Sequence, residues 1–231
     1  MKAITAIVTV ALAVAPGSAP LEYRFTEVKS SVHLRHEAIE RKVAAGESGV
    51  AGDEVRTGWR GRTVVEAAAQ AARFEILPST RARLGGPQPG VLLVLEHGRL
   101  KAVFDALTGR HDRLVATPGA LLAVRGTRYG VEVAGDGRAT VAVFEGTVEV
   151  RPTTPGFPVT AVAAGELCRF GPRTPPERAP LPRGVGEDSW RGGLDQPGSG
   201  PGSRVGEPPS GPRAPATRPG GQGGRPGGGR G

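Results

Sequence analysis

LVATPGALLAVRGTRYGVEVAGDGRATVAVFEGTVEVR, running from Leu114 to Arg151, is the stretch whose reading decides the fold class. Branched apolar residues alternate with other residues at a period of two, and glycine breaks recur about every ten positions, so the stretch predicts four short strands in succession. Tyr129, Val131 and Val133 fall on one face of their strand. After the turn Gly135-Asp136-Gly137, Val141 and Val143 share one face while Ala142 and Phe144 share the other, the pattern of a hairpin covered on both sides. Gly126 lies between Val124-Arg125 and Thr127-Arg128 with no room for a longer loop. The reading therefore places a tight reversal of a central hairpin there, with Gly126 at positive φ and Thr127 bonding the backbone. Gly146 permits a second reversal before Val148 and Val150.

Outward from this stretch the same signal continues. Turn residues fall near positions 98, 109, 119, 126, 136, 146, 156 and 165, and short strands at that spacing predict an all-β fold, a compact antiparallel β-sandwich or β-roll. Val91-Leu92-Leu93-Val94-Leu95 is apolar on both faces and belongs at the centre of the sandwich; His97-Gly98 is read as the turn that leads it into Arg99 to Phe104. Leu21 to Val28 reads as a first strand that Val32 to Arg35 continue, whereas Ala38 to Val43 stays open between a turn of helix and an edge strand.

The two ends have a different character. Met1-Lys2, the apolar run Ala3 to Val14 and the small residues up to Pro20 fit a secretory signal peptide over residues 1–20. The run is shorter than the roughly twenty apolar residues of a membrane-spanning helix, so no stable span is expected after cleavage; the alternatives are an uncleaved anchor or a buried core helix. Beyond Phe170-Gly171-Pro172 large apolar side chains almost vanish. The Pro, Gly, Ser and Arg content of residues 172–231 cannot offset the entropy of folding, and a disordered tail is expected. One all-β domain over residues 21–171 is left between them.

Charge narrows the function classes. The formal net charge is +8, yet residues 172–231 hold nine Arg against five acids while residues 21–171 hold twenty bases against seventeen acids. A domain so nearly balanced has an ordinary solvated surface, and no nucleic-acid partner is expected. Catalytic machinery is not found: there is no G-x-S-x-G, no H-E-x-x-H, no P-loop and no dinucleotide glycine pattern, and no cofactor is expected. His33 and His36 would point to opposite faces of a strand, a poor metal pair, so no metal site is assigned. The single cysteine, Cys168, excludes an intrachain disulfide and reads as a buried, inert thiol in a final strand.

Three ordered segments carry a family resemblance. Gly52-Asp53-Glu54-Val55-Arg56-Thr57-Gly58, then Val124-Arg125-Gly126-Thr127-Arg128-Tyr129 to Val133 followed by Val141 to Val150, then Val159 to Glu166, resemble in order the opening, core and closing motifs of the FecR domain, with a motif core over residues 52–150. Ala69-Gln70-Ala71-Ala72 departs from the polar glycine turn usual in the family and puts the first hairpin in doubt. In the family's founding members such a domain lies in the periplasm, senses an outer-membrane receptor and signals to a cytoplasmic sigma factor through an inner-membrane helix and an anti-sigma segment. Here only Met1 and Lys2 precede the apolar run, so sigma regulation by this polypeptide is not expected. The resemblance implies instead an exported, periplasmic or secreted, non-enzymatic binding or signalling module of the cell envelope, whose partner is an envelope protein or polysaccharide. The alternative is a structural, envelope-attached protein whose basic tail binds anionic polymers.

Gly52, Asp53, Val55, Thr57, Gly126, Thr127 and Gly146 are expected to be structural, with Asp53 bonding the backbone of its own turn. Arg125 and Arg128 are the partner-binding candidates, flanking a surface that would meet carboxylates.

Overall fold

The computed structural model describes residues 21–106 and 113–190. The signal peptide expected at 1–20, the turn near 109 and the part of the tail from 191 onward lie outside the described residues.

Seventeen strands are hydrogen-bonded into one network that doubles back on itself as two layers. The first half of the chain gives β1 (Glu22–Lys29), β2 (Val32–His36), β3 (Ile39–Lys42), β4 (Ser48–Val50), β5 (Glu54–Thr57), β6 (Arg62–Ala67), β7 (Ala72–Ile76) and β8 (Arg81–Leu84). The long strand β9 (Val91–Phe104) follows. The second half gives β10 (Arg113–Ala116), β11 (Ala120–Val124), β12 (Thr127–Val133), β13 (Ala139–Glu145), β14 (Thr147–Pro152), β15 (Thr160–Ala163), β16 (Glu166–Gly171) and β17 (Thr174–Pro180).

One layer, the upper sheet, runs β4-β1-β6-β7-β9-β12-β13-β16-β17. The other, the lower sheet, runs β3-β2-β5-β8-β9-β10-β11-β14-β15. The pairing is antiparallel throughout except for β9 with β10, which is parallel, so the sheet is mixed at that one seam.

β9 stands in the middle of both layers. Its first half pairs with β8 and its second half with β7 and β12, so residues 97–98, expected to be a turn, are instead a bend inside one strand. The bend needs glycine twice over: Gly98 has φ +99°, and a Cβ there would lie 2.6 Å from the Thr80 Cα. Thr80 fastens it, its hydroxyl accepting from Arg99 N–H at 2.9 Å.

The core lies between the layers. Phe25, Val65, Phe74, Leu100, Val131 and Val141 face Val55, Leu84, Leu93, Leu122, Val148 and Val150, all of them buried. Cys168 is part of it, buried as expected, and burial pushes its thiol up to about 11. The first hairpin is intact despite its unusual sequence: the 3-10 turn Ala68–Gln70 joins β6 to β7, with Ala71 taking φ +45°. The open segment resolves as the edge strand β3, and Val32 to His36 is a strand of the lower sheet, not a continuation of β1.

The domain does not end at 171. Thr174 to Pro180 pairs with β16 along most of its length, and a segment over residues 181–190 lies back across the upper sheet, burying Trp190 to 1% exposure. The composition of 172–190 resembles that of the rest of the tail, but a strand with an ordered neighbour to pair with needs few apolar residues of its own, and one tryptophan anchors the remainder.

Candidate functional site

The opening motif builds one corner between the sheets. Gly52 turns the chain at φ +100° between β4 and β5. Asp53, only 2% exposed, accepts from Val50 N–H at 3.0 Å through Oδ2, closing the turn back over three residues. Val55 is in the core, and the Thr57 hydroxyl donates to Leu77 O at 2.6 Å and accepts from Thr80 N–H at 2.9 Å. These side chains tie β5 to the connection before β8.

Sequence reasoning did not anticipate two features at this corner. His36 Nδ1 lies 2.5 Å from Asp53 Oδ1, so the buried carboxylate reaches an exposed imidazole and, by hydrogen bond first and charge second, raises its pKa. The loop Gly58-Trp59-Arg60-Gly61 then presents Trp59 at 73% exposure with the Arg60 guanidinium 4.0 Å over its ring. Gly58 N–H donates to Ser31 O at 2.9 Å, Gly61 N–H to Gly58 O at 2.9 Å, and Ser79 N–H to Gly58 O at 3.0 Å, which holds the loop in one shape. A tryptophan between two glycines directly after the motif was the available signal.

The second motif also forms a corner. Gly126 is at positive φ, +58°, and the Thr127 hydroxyl shares its proton between Thr147 O at 3.0 Å and Arg125 O at 3.2 Å. The expected hairpin is absent, however: β11 pairs with β14 in the lower sheet while β12 pairs with β9 and β13 in the upper one. Gly126 therefore carries the chain from one layer to the other. Gly146 and Gly165 do the same for the next strand pairs and stack beside it. A Cβ on Gly146 would sit 2.4 Å from Gly126 O, Ala164 N–H donates to Gly146 O at 3.0 Å, and Leu181 N–H donates to Gly165 O at 2.8 Å.

The two arginines differ in surroundings. Arg128, on the outer face of β12, pairs with Glu145 at 3.1 Å and Glu187 at 3.6 Å. Arg125 is exposed at the corner, close enough to Arg113 that their charges repel; burial first, and Arg125 second among the lowering causes, bring the Arg113 pKa down. Arg113 is itself buried, donating to Gln70 O at 3.1 Å beneath the Arg125 corner. Among the described residues no three His, Cys, Asp or Glu side chains converge as metal ligands. No helix among them is long and apolar enough to cross a membrane.

An all-β sandwich whose motif residues hold corners, and which exposes Trp59, Arg125 and Arg128 at or beside them, defines a scaffold for contacts at its surface. Residues 53–149, from the first corner into β14, match the model of the family described as FecR protein, so this stretch is similar to that family. Two crystal structures described as a "putative anti-sigma factor" from Parabacteroides distasonis are similar, at 16% identity and a TM-score of 0.45. The match covers 55% of this chain and 59% of theirs, so this chain spans little more than half the length of those proteins. No curated protein matches.

Proposed function

We propose that this protein is an exported, non-enzymatic FecR-domain module of the cell envelope that acts by binding an envelope protein or polysaccharide. The observation that carries this reading is the FecR match over residues 53–149, which begins at the Asp53 corner and takes in the Gly126 and Gly146 corners. The apolar run at Ala3 to Val14 supports export. The exposed Trp59 with Arg60 stacked on it supports a contact surface, because an aromatic face and a guanidinium suit both sugar rings and protein partners. Arg125 and Arg128 remain the arginines assigned to a partner's carboxylates, Arg128 having to exchange its ion pair with Glu187 to do so.

The test is a pull-down from an envelope extract with the chain starting at Leu21. The parent should retain a partner that Trp59→Ala, Arg125→Ala or Arg128→Ala retains poorly, at unchanged melting temperature. Retention by all three variants at the parent's level would dismiss these residues as the contact. Export is checked separately by fractionating cells that express the full chain: Val8→Arg, which breaks the apolar run, should leave the protein in the cytoplasm.

A further inference from the structure

The outer face of the upper sheet changes character across its width. Over β1, β6, β7 and β9 it is a ladder of ion pairs, Glu27 with Arg62 and Arg73, Glu66 with Arg73, and Glu75 with Arg62 and Lys101. Farther on, the register sets Gly130 of β12 opposite Ala142 of β13, Ala142 opposite Leu167 of β16, and Leu167 opposite Ala179 of β17. That row carries no charge, and its small residues Gly130, Ala142 and Ala179 make a trough in the sheet surface.

Trp190 fills that trough. A Cβ on Gly130 would lie 2.5 Å from the indole Cε2 and Nε1, so the missing side chain is what admits the ring. Phe144 packs edge-on against it with centroids 6.1 Å apart, and Leu181 and Val185 close the sides. The segment that brings Trp190 there is held to the sheet by side chains. After Leu181 N–H has bonded Gly165 O, the backbone bonds within the segment: Val185 N–H to Pro182 O at 3.1 Å and Trp190 N–H to Gly186 O at 2.9 Å. Ser189 Oγ accepts from Gly186 N–H at 2.8 Å, again inside the segment. Glu187, three residues before the tryptophan, pairs with Arg128 on the rim of the trough. The trough is a property of the sheet, and residues 181–190 sit in it as a turn with one aromatic plug, Trp190, and, in Glu187, a carboxylate paired with Arg128 of the sheet.

We propose that this trough is a binding groove for a segment of another protein that carries a carboxylate three residues before a tryptophan, and that residues 181–190 occupy it as an intramolecular stand-in. A tethered occupant acts at an effective concentration in the millimolar range, so an incoming segment binds at an affinity reduced by the small fraction of molecules whose groove is open. The inference does not rest on export or on Trp59, and its failure would leave contacts elsewhere on the surface untouched.

The experiment uses a fluorescein-labelled synthetic peptide, LPRGVGEDSWR, which reproduces residues 181–191. The parent chain should bind it weakly, and Trp190→Gly, whose groove is vacated, at least tenfold more tightly. A peptide with alanine in place of its tryptophan should not bind. Adding Gly130→Ala to Trp190→Gly fills the trough with a methyl group where no indole is left to clash, and should abolish peptide binding without loss of the β-sheet circular dichroism signal. Binding of the peptide to Trp190→Gly no tighter than to the parent, or unchanged by Gly130→Ala, would overturn the proposal. Should Trp190→Gly not fold, amide exchange in the parent decides: residues 183–190 must exchange far faster than β13 and β16, and equal protection would show a segment that never leaves. A concentration-dependent dimer of the parent, lost on Trp190→Gly, would overturn the assignment to another protein by making the occupant a second copy of this chain.

Discussion

Two glycines at equivalent corners should tolerate a side chain very differently. Gly126 and Gly146 both have positive φ, but a Cβ on Gly126 would find its nearest neighbour, Ala106, at 3.8 Å, whereas a Cβ on Gly146 would meet the Gly126 carbonyl oxygen at 2.4 Å. Gly126→Ala should therefore cost the left-handed conformation alone, about 1 kcal/mol. Gly146→Ala adds a clash with backbone that cannot rotate away and should cost roughly 3 kcal/mol. Urea denaturation of the two variants measures both, and equal costs would dismiss the stacked-corner account. Another residue, His36, titrates. Its pKa is raised by Asp53, so the folded state holds the proton more tightly than the unfolded chain does. The resulting stabilisation is fully present below the unfolded value of about 6.5 and is lost as pH rises through the raised folded value. The melting-temperature difference between the parent and His36→Gln should thus be largest in mild acid and shrink toward alkaline pH; a difference independent of pH would show that charge has no part in the contact.

At the scale of elements, the regular spacing of turn residues was legible but their division of labour was not. Gly137 and Gly156 close hairpins within one sheet, while Gly126, Gly146 and Gly165 cross between sheets, and all five have positive φ. Left-handed glycine serves either geometry, because what separates them is which strand waits on the far side. That is a long-range fact, as is the bend at Gly98, which the sequence presents as one more turn. The alternation that buries Val141 and Val143 survives any such rearrangement, and so the fold class was readable where the topology was not. Arg128 was legible as a surface arginine, but its pairing with Glu187 was hidden in a stretch whose composition reads as tail. Composition averages over a window, and one strand plus one tryptophan are too few residues to shift it. The structure gives the boundary a different consequence from the one composition suggests. A chain ending at Pro172 loses β17 and uncovers Leu77, Phe144 and Leu167, and should melt well below the parent, while a chain ending at Arg191 should melt with it. Trp190→Ala alone should cost about 3 kcal/mol, at the lower end of the range for a buried aromatic because part of its niche opens to water. A chain ending at Pro172 as stable as the parent would mean that the segment adds nothing.

The whole molecule divides by charge. Residues 172–190 hold three Arg against three acids, so adding them to residues 21–171 leaves the net charge unchanged. Residues 191–231 then hold six Arg against two acids with almost nothing apolar between them. An excess of arginine attracts anionic polymers by charge, and that attraction weakens as the Debye length shrinks from about 10 Å at 0.1 M salt to about 3 Å at 1 M. Residues 21–190 behave otherwise, because their ion pairs are internal and their net charge is small. The structural, envelope-attached reading therefore makes a demand that the binding-module reading does not. If the tail attaches the protein, the full chain should sediment with purified cell wall at low salt and be released by 0.5 M sodium chloride, and a chain ending at Arg191 should stay in solution in both. If the folded module carries the contact, the shortened chain should bind as well as the full one, with retention that depends on Trp59 and survives the salt. Sedimentation of the two chains at two salt concentrations separates the readings, and loss of binding on removing residues 192–231 would refute the module as the site of attachment.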